Sequence, residues 1–379
     1  MDVDVAVVGV GVAGAFALRA LSKDLNVVGI DKRQTLGYPV ECGEIIPTKK
    51  EMRELLPDLE DYSLFDIPKR FESNRTKAFA FILPNGKTYT VDFEMHVLRR
   101  DEFIQSIAHN SGHKLLLGLR VSDFDSNLHL SSGKEVKAKV VIASDGANSK
   151  IAKKLGVWKY ELASAKQYVM KGVECDEDMI YMYVGNKIAP GGYAWIIPKG
   201  DGIANVGVGL RPKFAKISIH KALDTFVGEH PYSSQFLKKA EVIGKIGAVV
   251  PVSLPLERTV YGNVIFAGDS ASMILSHVGA GIPTSMIAGD IAGKVVNRYF
   301  KEGCSLQDYE SLWRRAMFDA MKRSNFIKNL WDKIASCDER LCKYFTLIGN
   351  KDMGMILRSR VPLKLKVMAP FISILNTLL

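Results

Sequence analysis

Gly9, Gly11 and Gly14 follow the apolar run 3–8, and Asp31 closes a second apolar run, 25–30, twenty-two residues after Gly9. That spacing belongs to a dinucleotide-binding βαβ unit. Gly9 allows the tight turn after the strand, Gly11 lets backbone approach a pyrophosphate, and Gly14 lets a helix over 15–22 lie close on the strand. Free N–H groups and the positive dipole end of that helix would hold phosphates. Asp31 would accept hydrogen bonds from ribose hydroxyls.

Two more segments end apolar runs with small or acidic residues: Asp145 to Ser149 after 140–143, and Gly268 to Ser270 after 264–267. Carboxyl ends of strands converge on one crevice in a doubly wound sheet, so all three segments are expected around one ligand. Gly279, Ala280, Gly281 and Ile282 precede a helix expected over 285–300, whose N-terminus would turn partial positive charge toward an anionic ring beside Ile282. A single GxGxxG occurs, so a second Rossmann unit for a nicotinamide cofactor is not expected. The seven histidines include no metal-spaced pair, and Cys42, Cys175, Cys304, Cys337 and Cys342 form neither a CxxC pair nor iron–sulfur spacing. No metal site is expected. His277 reads as a packing or loop contact rather than a base. Cys337 and Cys342 lie five apart, a spacing poor for one helical face, which lends a local disulfide no support.

These segments need a scaffold. Strands are expected at 78–83 and 87–93 around the turn Pro84-Asn85-Gly86, and a helix over 100–111. The stretch 114–139 reads as short strands turning at 131–133, and 140–143 as a return to the nucleotide sheet. From 168 to 252 the pattern is mainly β, with apolar runs at 179–184, 194–197 and 203–210. An inserted antiparallel sheet is expected there. Helices are expected over 285–300 and 306–334, the second with Tyr309, Trp313, Met317 and Met321 on one core-facing stripe. The fold class is therefore α/β, with parts interleaved along the chain: nucleotide binding in 1–75, 99–165 and 256–300, a substrate-domain hairpin in 76–98, the β substrate domain in 166–255, and a basic helical end in 301–379.

Charge narrows the partners. The chain has 51 Lys and Arg against 41 Asp and Glu, and residues 301–379 hold fourteen against eight. No aromatic platforms interleave this charge, so nucleic acid is not expected, and an anionic membrane surface or a phosphorylated substrate is. The chain opens on a buried strand rather than a secretory leader, so a reducing cytoplasmic setting is expected. No run of about 18 apolar residues spans a bilayer. Residues 354–379 carry Arg358, Arg360, Lys364 and Lys366 before an apolar end, and read either as an interfacial anchor or as a helix completing the core.

The GxGxxG with its strand-end acid, Arg100-Asp101-Glu102-Phe103, Ser144-Asp145-Gly146-Ala147-Asn148-Ser149 and Ala267-Gly268-Asp269-Ser270-Ala271 resemble the glutathione-reductase-type flavoproteins of the hydroxylase branch, which bind FAD. Within that branch, Tyr38-Pro39-Val40-Glu41-Cys42-Gly43-Glu44 and Gly192-Tyr193-Ala194-Trp195-Ile196-Ile197-Pro198-Lys199 resemble the geranylgeranyl reductase family. Archaeal members of that family saturate the isoprenoid chains of digeranylgeranylglycerophospholipids. The resemblance implies a glutathione-reductase-type FAD fold with an inserted β substrate domain and C-terminal helices. It implies that Ala13, Asp31, Cys42, Gly43, Arg100, Val121, Asp269, Gly281 and Ile282 surround FAD, with Arg99 as a register alternative to Arg100. Gly9, Gly11, Gly14, Asp145, Gly268 and Gly279 join them on the motif reading. Tyr193 and Trp195 would line a lipid cavity opposite the flavin, with Pro198 beside them. Cys42 would gate the site, relay a proton, or simply pack on the ring. The sequence departs from the family at Ile197, where the family has an aromatic, and at 276–282, which replaces a histidine-proline-bearing segment.

The chemistry agrees with this resemblance. An isolated carbon–carbon double bond has no carbonyl to polarise it, so its reduction needs a hydride, here from N5 of reduced flavin, and a proton. An isoprenoid offers little that is polar, so a tunnel must hold it by burial, at about 25 cal/mol per Å². Electrons would come from NAD(P)H or from a ferredoxin, and the sequence favours neither. The expected activity is reduction of geranylgeranyl chains at the cytoplasmic membrane surface. The rival readings are an FAD monooxygenase acting on an apolar or aromatic substrate, and a non-catalytic flavin- or lipid-binding protein.

Overall fold

Val3 to Val8 are nearly all buried because strands pair with both edges of Asp2–Val8, placing it at the centre of a sheet. In the computed structural model, which describes residues 1–371 other than Ser336, the strand order is Val260–Tyr261, Val264–Phe266, Glu135–Ala143, Asp2–Val8, Val27–Asp31, Lys114–Leu117. The last five run parallel, and Val260–Tyr261 closes the edge antiparallel. Val27–Asp31 and Glu135–Ala143 flank Asp2–Val8, so the chain leaves its first strand in one direction and returns on the other side. That reversal opens the crevice at the strand ends.

Helix Val12–Ala20 crosses the long helix Ile282–Glu302 at close range. A methyl at Gly289 would stand 2.1 Å from the Ala13 carbonyl oxygen, so only glycine fits the crossing. The long helix begins three residues before its expected start, at Ile282, with Pro283 in its first turn where a missing N–H costs nothing.

The second sheet has the order Glu241–Pro251, Leu162–Lys171, Ile203–Leu210, Tyr193–Gly200, Met179–Tyr183, Glu72–Ile82, Thr88–Leu98, Ile45–Pro47. It is antiparallel except where Met179–Tyr183 runs parallel to Glu72–Ile82. Glu72–Ile82 is longer than expected because its polar half, 72–77, holds no apolar run, and Thr88–Leu98 because buried Met95, Val97 and Leu98 carry it beyond 93.

Helices Asp308–Trp313 and Asp319–Ile334 join through a π-helical turn, Arg314–Phe318. Tyr309, Trp313, Met317 and Met321 are buried in the core, as their stripe predicts. The Tyr309 hydroxyl donates to the Phe266 carbonyl at 3.0 Å and Trp313 Nε1 to Thr259 Oγ1 at 2.8 Å, tying this helix to the parallel sheet.

Helices Asp338–Phe345 and Asn350–Leu357 then lie against Thr88–Leu98 of the second sheet, and Leu363–Met368 follows them. Three of the cations there pair within the chain: Arg358 with Glu51 at 2.5 Å, and the more exposed Arg360 with Glu54 at 3.7 Å and Lys364 with Asp352 at 3.2 Å. Asn350–Leu357 thus completes the core, whereas Leu363–Met368 leaves Leu363 75% and Val367 60% accessible beside exposed Lys366; the apolar end 372–379 lies outside the described residues. All five cysteines are free, Cys337 and Cys342 included. Among the described residues, no helix is long and apolar enough to cross a membrane and no cluster of His, Cys, Asp and Glu could hold a metal.

Candidate functional site

One cavity of about 1270 Å³ runs from the strand ends of the parallel sheet, across the second sheet, to the C-terminal helices. Gly9, Gly11, Ala13, Asp31, Arg100, Val121 and Asp145 line its first part. Gly9, at φ +86°, makes the turn, and a methyl there would lie 2.4 Å from the Ser144 carbonyl oxygen. At Gly11 the same methyl would meet nothing within 4 Å, because that backbone faces the cavity. The helix behind it has no side-chain cap and no acid in its first turn, which leaves its N–H groups for an anion. Asp31 is fixed by Val10 N–H and Arg33 N–H, each at 2.8 Å.

Arg100 Nε and Asp145 Oδ1 are buried without a protein partner, and both residues line the cavity. One donor, one acceptor, a glycine cradle and a strand-end acid fit a flavin dinucleotide. Arg99 instead donates to the Arg70 and Glu72 carbonyls at 3.1 Å each and does not line the cavity.

Cys42, Gly43, Asp269, Gly279, Gly281 and Ile282 line the middle of the cavity. Cys42 Sγ accepts from Glu44 N–H at 3.2 Å, and burial pushes its thiol pKa up against the pull of Arg100. Burial also pushes the Asp269 carboxyl up to about 6, again opposed by Arg100. His277 is a structural tie: its Nδ1 meets Ser324 Oγ at 2.8 Å and its Nε2 meets the Ile356 carbonyl at 2.9 Å. Burial drives its pKa down to about 4, so it stays neutral.

The apolar part lies between Tyr193, Trp195 and Phe81 on the sheet and Trp331, Phe345 and Leu357 on the helices. Tyr193 Oη donates to the Val278 carbonyl at 2.5 Å and so pins the glycine loop, while its ring meets Trp195 edge-on at 5.8 Å. Trp195 Nε1 donates to Gln167 Oε1 at 2.9 Å, and Gln167 Nε2 donates to the Cys42 carbonyl at 3.1 Å. The Trp195 ring lies on Gly207, where a methyl would come within 2.3 Å of it.

Sequence reasoning missed Gln167, Glu44, Lys199 and Asn205. Lys199 Nζ donates to Glu44 Oε2, and Asn205 Nδ2 donates to the same oxygen at 2.9 Å and to the Gly43 carbonyl at 3.2 Å. Their signal was present, since Glu44 and Lys199 end the two motifs that carried the resemblance.

Three expected site residues do not line the cavity: Gly14, Gly268 and Pro198. Gly14 packs on the turn, where a methyl would lie 2.0 Å from the Gly9 carbonyl oxygen, and at Gly268 it would lie 2.9 Å from Ala13 Cβ. Pro198 is corrected by strand alternation. Its side chain lies with those of Ala194 and Ile196 on the face away from Tyr193, Trp195 and Ile197.

Comparison with known proteins agrees with this arrangement. The profile of the geranylgeranyl reductase catalytic domain matches residues 161–250, the segment that supplies Gln167, Tyr193, Trp195 and Lys199. Digeranylgeranylglycerophospholipid reductase of Methanocaldococcus jannaschii is 32% identical over 94% of this chain and 93% of its own. Digeranylgeranylglycerophospholipid reductase 2 of Methanococcoides burtonii is 30% identical over 86% of this chain and 83% of its own. Among solved structures, a geranylgeranyl bacteriochlorophyll reductase-like protein from Thermoplasma acidophilum superposes with a TM-score of 0.83 at 25% identity, covering 97% of this chain and 99% of that one. A probable FAD-dependent monooxygenase of Pseudomonas aeruginosa shares the fold, at a TM-score of 0.65 and 15% identity over 91% of this chain and all of that one. With its two signature motifs joined through Glu44 and Lys199, and with relatives alike over most of its length, this chain belongs to the digeranylgeranylglycerophospholipid reductase family.

Proposed function

We propose that the chain is an FAD-dependent reductase that saturates isolated double bonds in the geranylgeranyl chains of archaeal-type membrane lipid precursors. The observation that carries this reading is the continuity of the cavity. A dinucleotide cradle and an aromatic, apolar tunnel share one space, and they meet at Cys42 and the glycine loop.

FAD, when bound, supplies hydride from its reduced ring. Gly11 and the helix behind it hold the pyrophosphate, Asp31 holds the ribose, and Arg100 and Asp145 supply the donor and acceptor buried beside them. The first turn of Ile282–Glu302, uncapped and free of acids, favours negative charge on the ring. Tyr193 and Trp195 exclude water and orient the chain. Cys42 keeps its proton on Sγ, because burial disfavours the thiolate, and it faces the cavity where the alkene carbon must be protonated. The electron donor is NAD(P)H or a ferredoxin, and the enzyme works as a peripheral protein at the cytoplasmic membrane surface.

The test is anaerobic incubation of the dithionite-reduced holoprotein with a digeranylgeranylglycerophospholipid, followed by mass spectrometry. A gain of about 2 Da per reduced bond is expected. An unchanged lipid, or a product hydroxylated only in oxygen, would refute the assignment.

A further inference from the structure

Among the described residues the second sheet ends in a free strand, Glu241–Pro251, bonded to Leu162–Lys171 on one side only. Free edges are normally short, charged or covered, because an apolar edge recruits other chains. This one is eleven residues long, and six of its residues are exposed. Val242 and Ile243 are 42% and 55% accessible, and Val249 is 40% accessible.

The cavity reaches this edge. Ile246 pairs with Gln167 and shares its inward face, whereas Lys245 pairs with Tyr168 on the other face, yet both Ile246 and Lys245 line the cavity. The lining therefore includes consecutive residues of the edge strand, Lys245 to Val250. The surrounding charge is one-sided. Residues 211–250 contain seven Lys and Arg against three Asp and Glu, and Lys166, Lys216, Lys238 and Lys245 make no ion pair among the described residues.

We propose that the edge strand Glu241–Pro251, with the lysines around it, is the surface that docks on anionic lipid headgroups and receives the lipid chain directly from the bilayer. This inference rests on the lipid-reductase reading for its cargo. Apolar side chains at 242 and 243 enter the headgroup boundary while unpaired lysines meet its negative charge. A protein strand could satisfy the edge hydrogen bonds, but it would also cover the opening. A bilayer leaves the route into the cavity continuous.

The experiment uses the holoprotein and vesicles of phosphatidylglycerol or of phosphatidylcholine. Wild type is expected to float with the first at low salt and at least tenfold less with the second. V242D/I243D should lose that flotation at least tenfold, and so should K216E/K238E, whose exposed lysines can be reversed without disturbing the core. Both variants should reduce detergent-dispersed lipid within twofold of wild type. Wild-type flotation by both variants would overturn the proposal, as would sedimentation showing a dimer that V242D/I243D breaks. Flotation that is lost as expected, with no lipid reduced by wild type in detergent, supports the docking surface and refutes the reductase reading alone.

Discussion

The ammonium of Lys199 is held against the buried carboxylate of Glu44, so the end of the strand Tyr193–Gly200 is fastened two residues from Cys42. Glu44 is 3% accessible and sits at φ +66°, a left-handed conformation that its three partners help to hold. The pair joins the loop beside the proposed flavin ring to the strand that presents Tyr193 and Trp195.

Lys199→Met should therefore cost more than a surface pair would. It leaves a buried carboxylate with weaker compensation, for which about 3 kcal/mol of unfolding free energy is expected, against under 1 for an exposed pair such as Lys239–Glu174. The double variant Lys199→Met with Glu44→Gln should regain part of that loss. Urea denaturation of the four proteins measures the coupling directly, and additive losses would show that the pair does no joint work.

Gly207→Ala should displace the Trp195 indole, since the new methyl would overlap its ring. We expect weaker lipid binding and a flavin content close to wild type. Trp195→Phe removes the donor to Gln167 and should cost about 1 kcal/mol of stability. It should also speed alkylation of Cys42 by freeing the Cys42 loop. Labelling rates measured with the other four cysteines replaced by serine would decide this.

Gly11→Val separates cofactor loss from misfolding. The added side chain points into open cavity, so the flavin-free protein should unfold within about 0.5 kcal/mol of wild type. FAD affinity should drop at least tenfold, as followed by flavin fluorescence. Gly9→Ala, by contrast, meets the Ser144 carbonyl at a positive φ and should destabilise the fold itself.

His277 gives a pH dependence of fixed sign. Its folded pKa of about 4 lies below its ordinary value near 6.5, so the unfolded chain takes up the proton first. Its contribution is complete above pH 6.5 and is lost as pH falls toward 4, up to about 3 kcal/mol. Asp269, raised to about 6, works in the opposite direction, with stability lost as pH rises from its ordinary 3.8 through 6. Subtracting the stability profile of His277→Gln from that of wild type should isolate the acid-side loss. Parallel profiles would show that the histidine carries no such linkage.

The nucleotide half was legible from local patterns, because Gly9, Gly11 and Asp31 do their work within one βαβ unit whose geometry depends on short-range sterics and hydrogen bonds. Tyr193 and Trp195 were reached through the motif that resembles the geranylgeranyl reductase family, whereas helical period exposed the stripe from Tyr309 to Met321. Pro198 was misplaced because a motif was carried over as a block, whereas alternate residues of a strand face opposite ways.

What sequence could determine on its own was the cradle, the strands and the kind of ligand they suit. Only the tertiary structure decided that Gln167 bridges Trp195 to Cys42, that Lys199 meets Glu44 across 155 positions, and that Asn350–Leu357 packs against Thr88–Leu98. Those contacts join segments far apart in the chain. Their formation depends on where whole elements pack, and no local propensity encodes that.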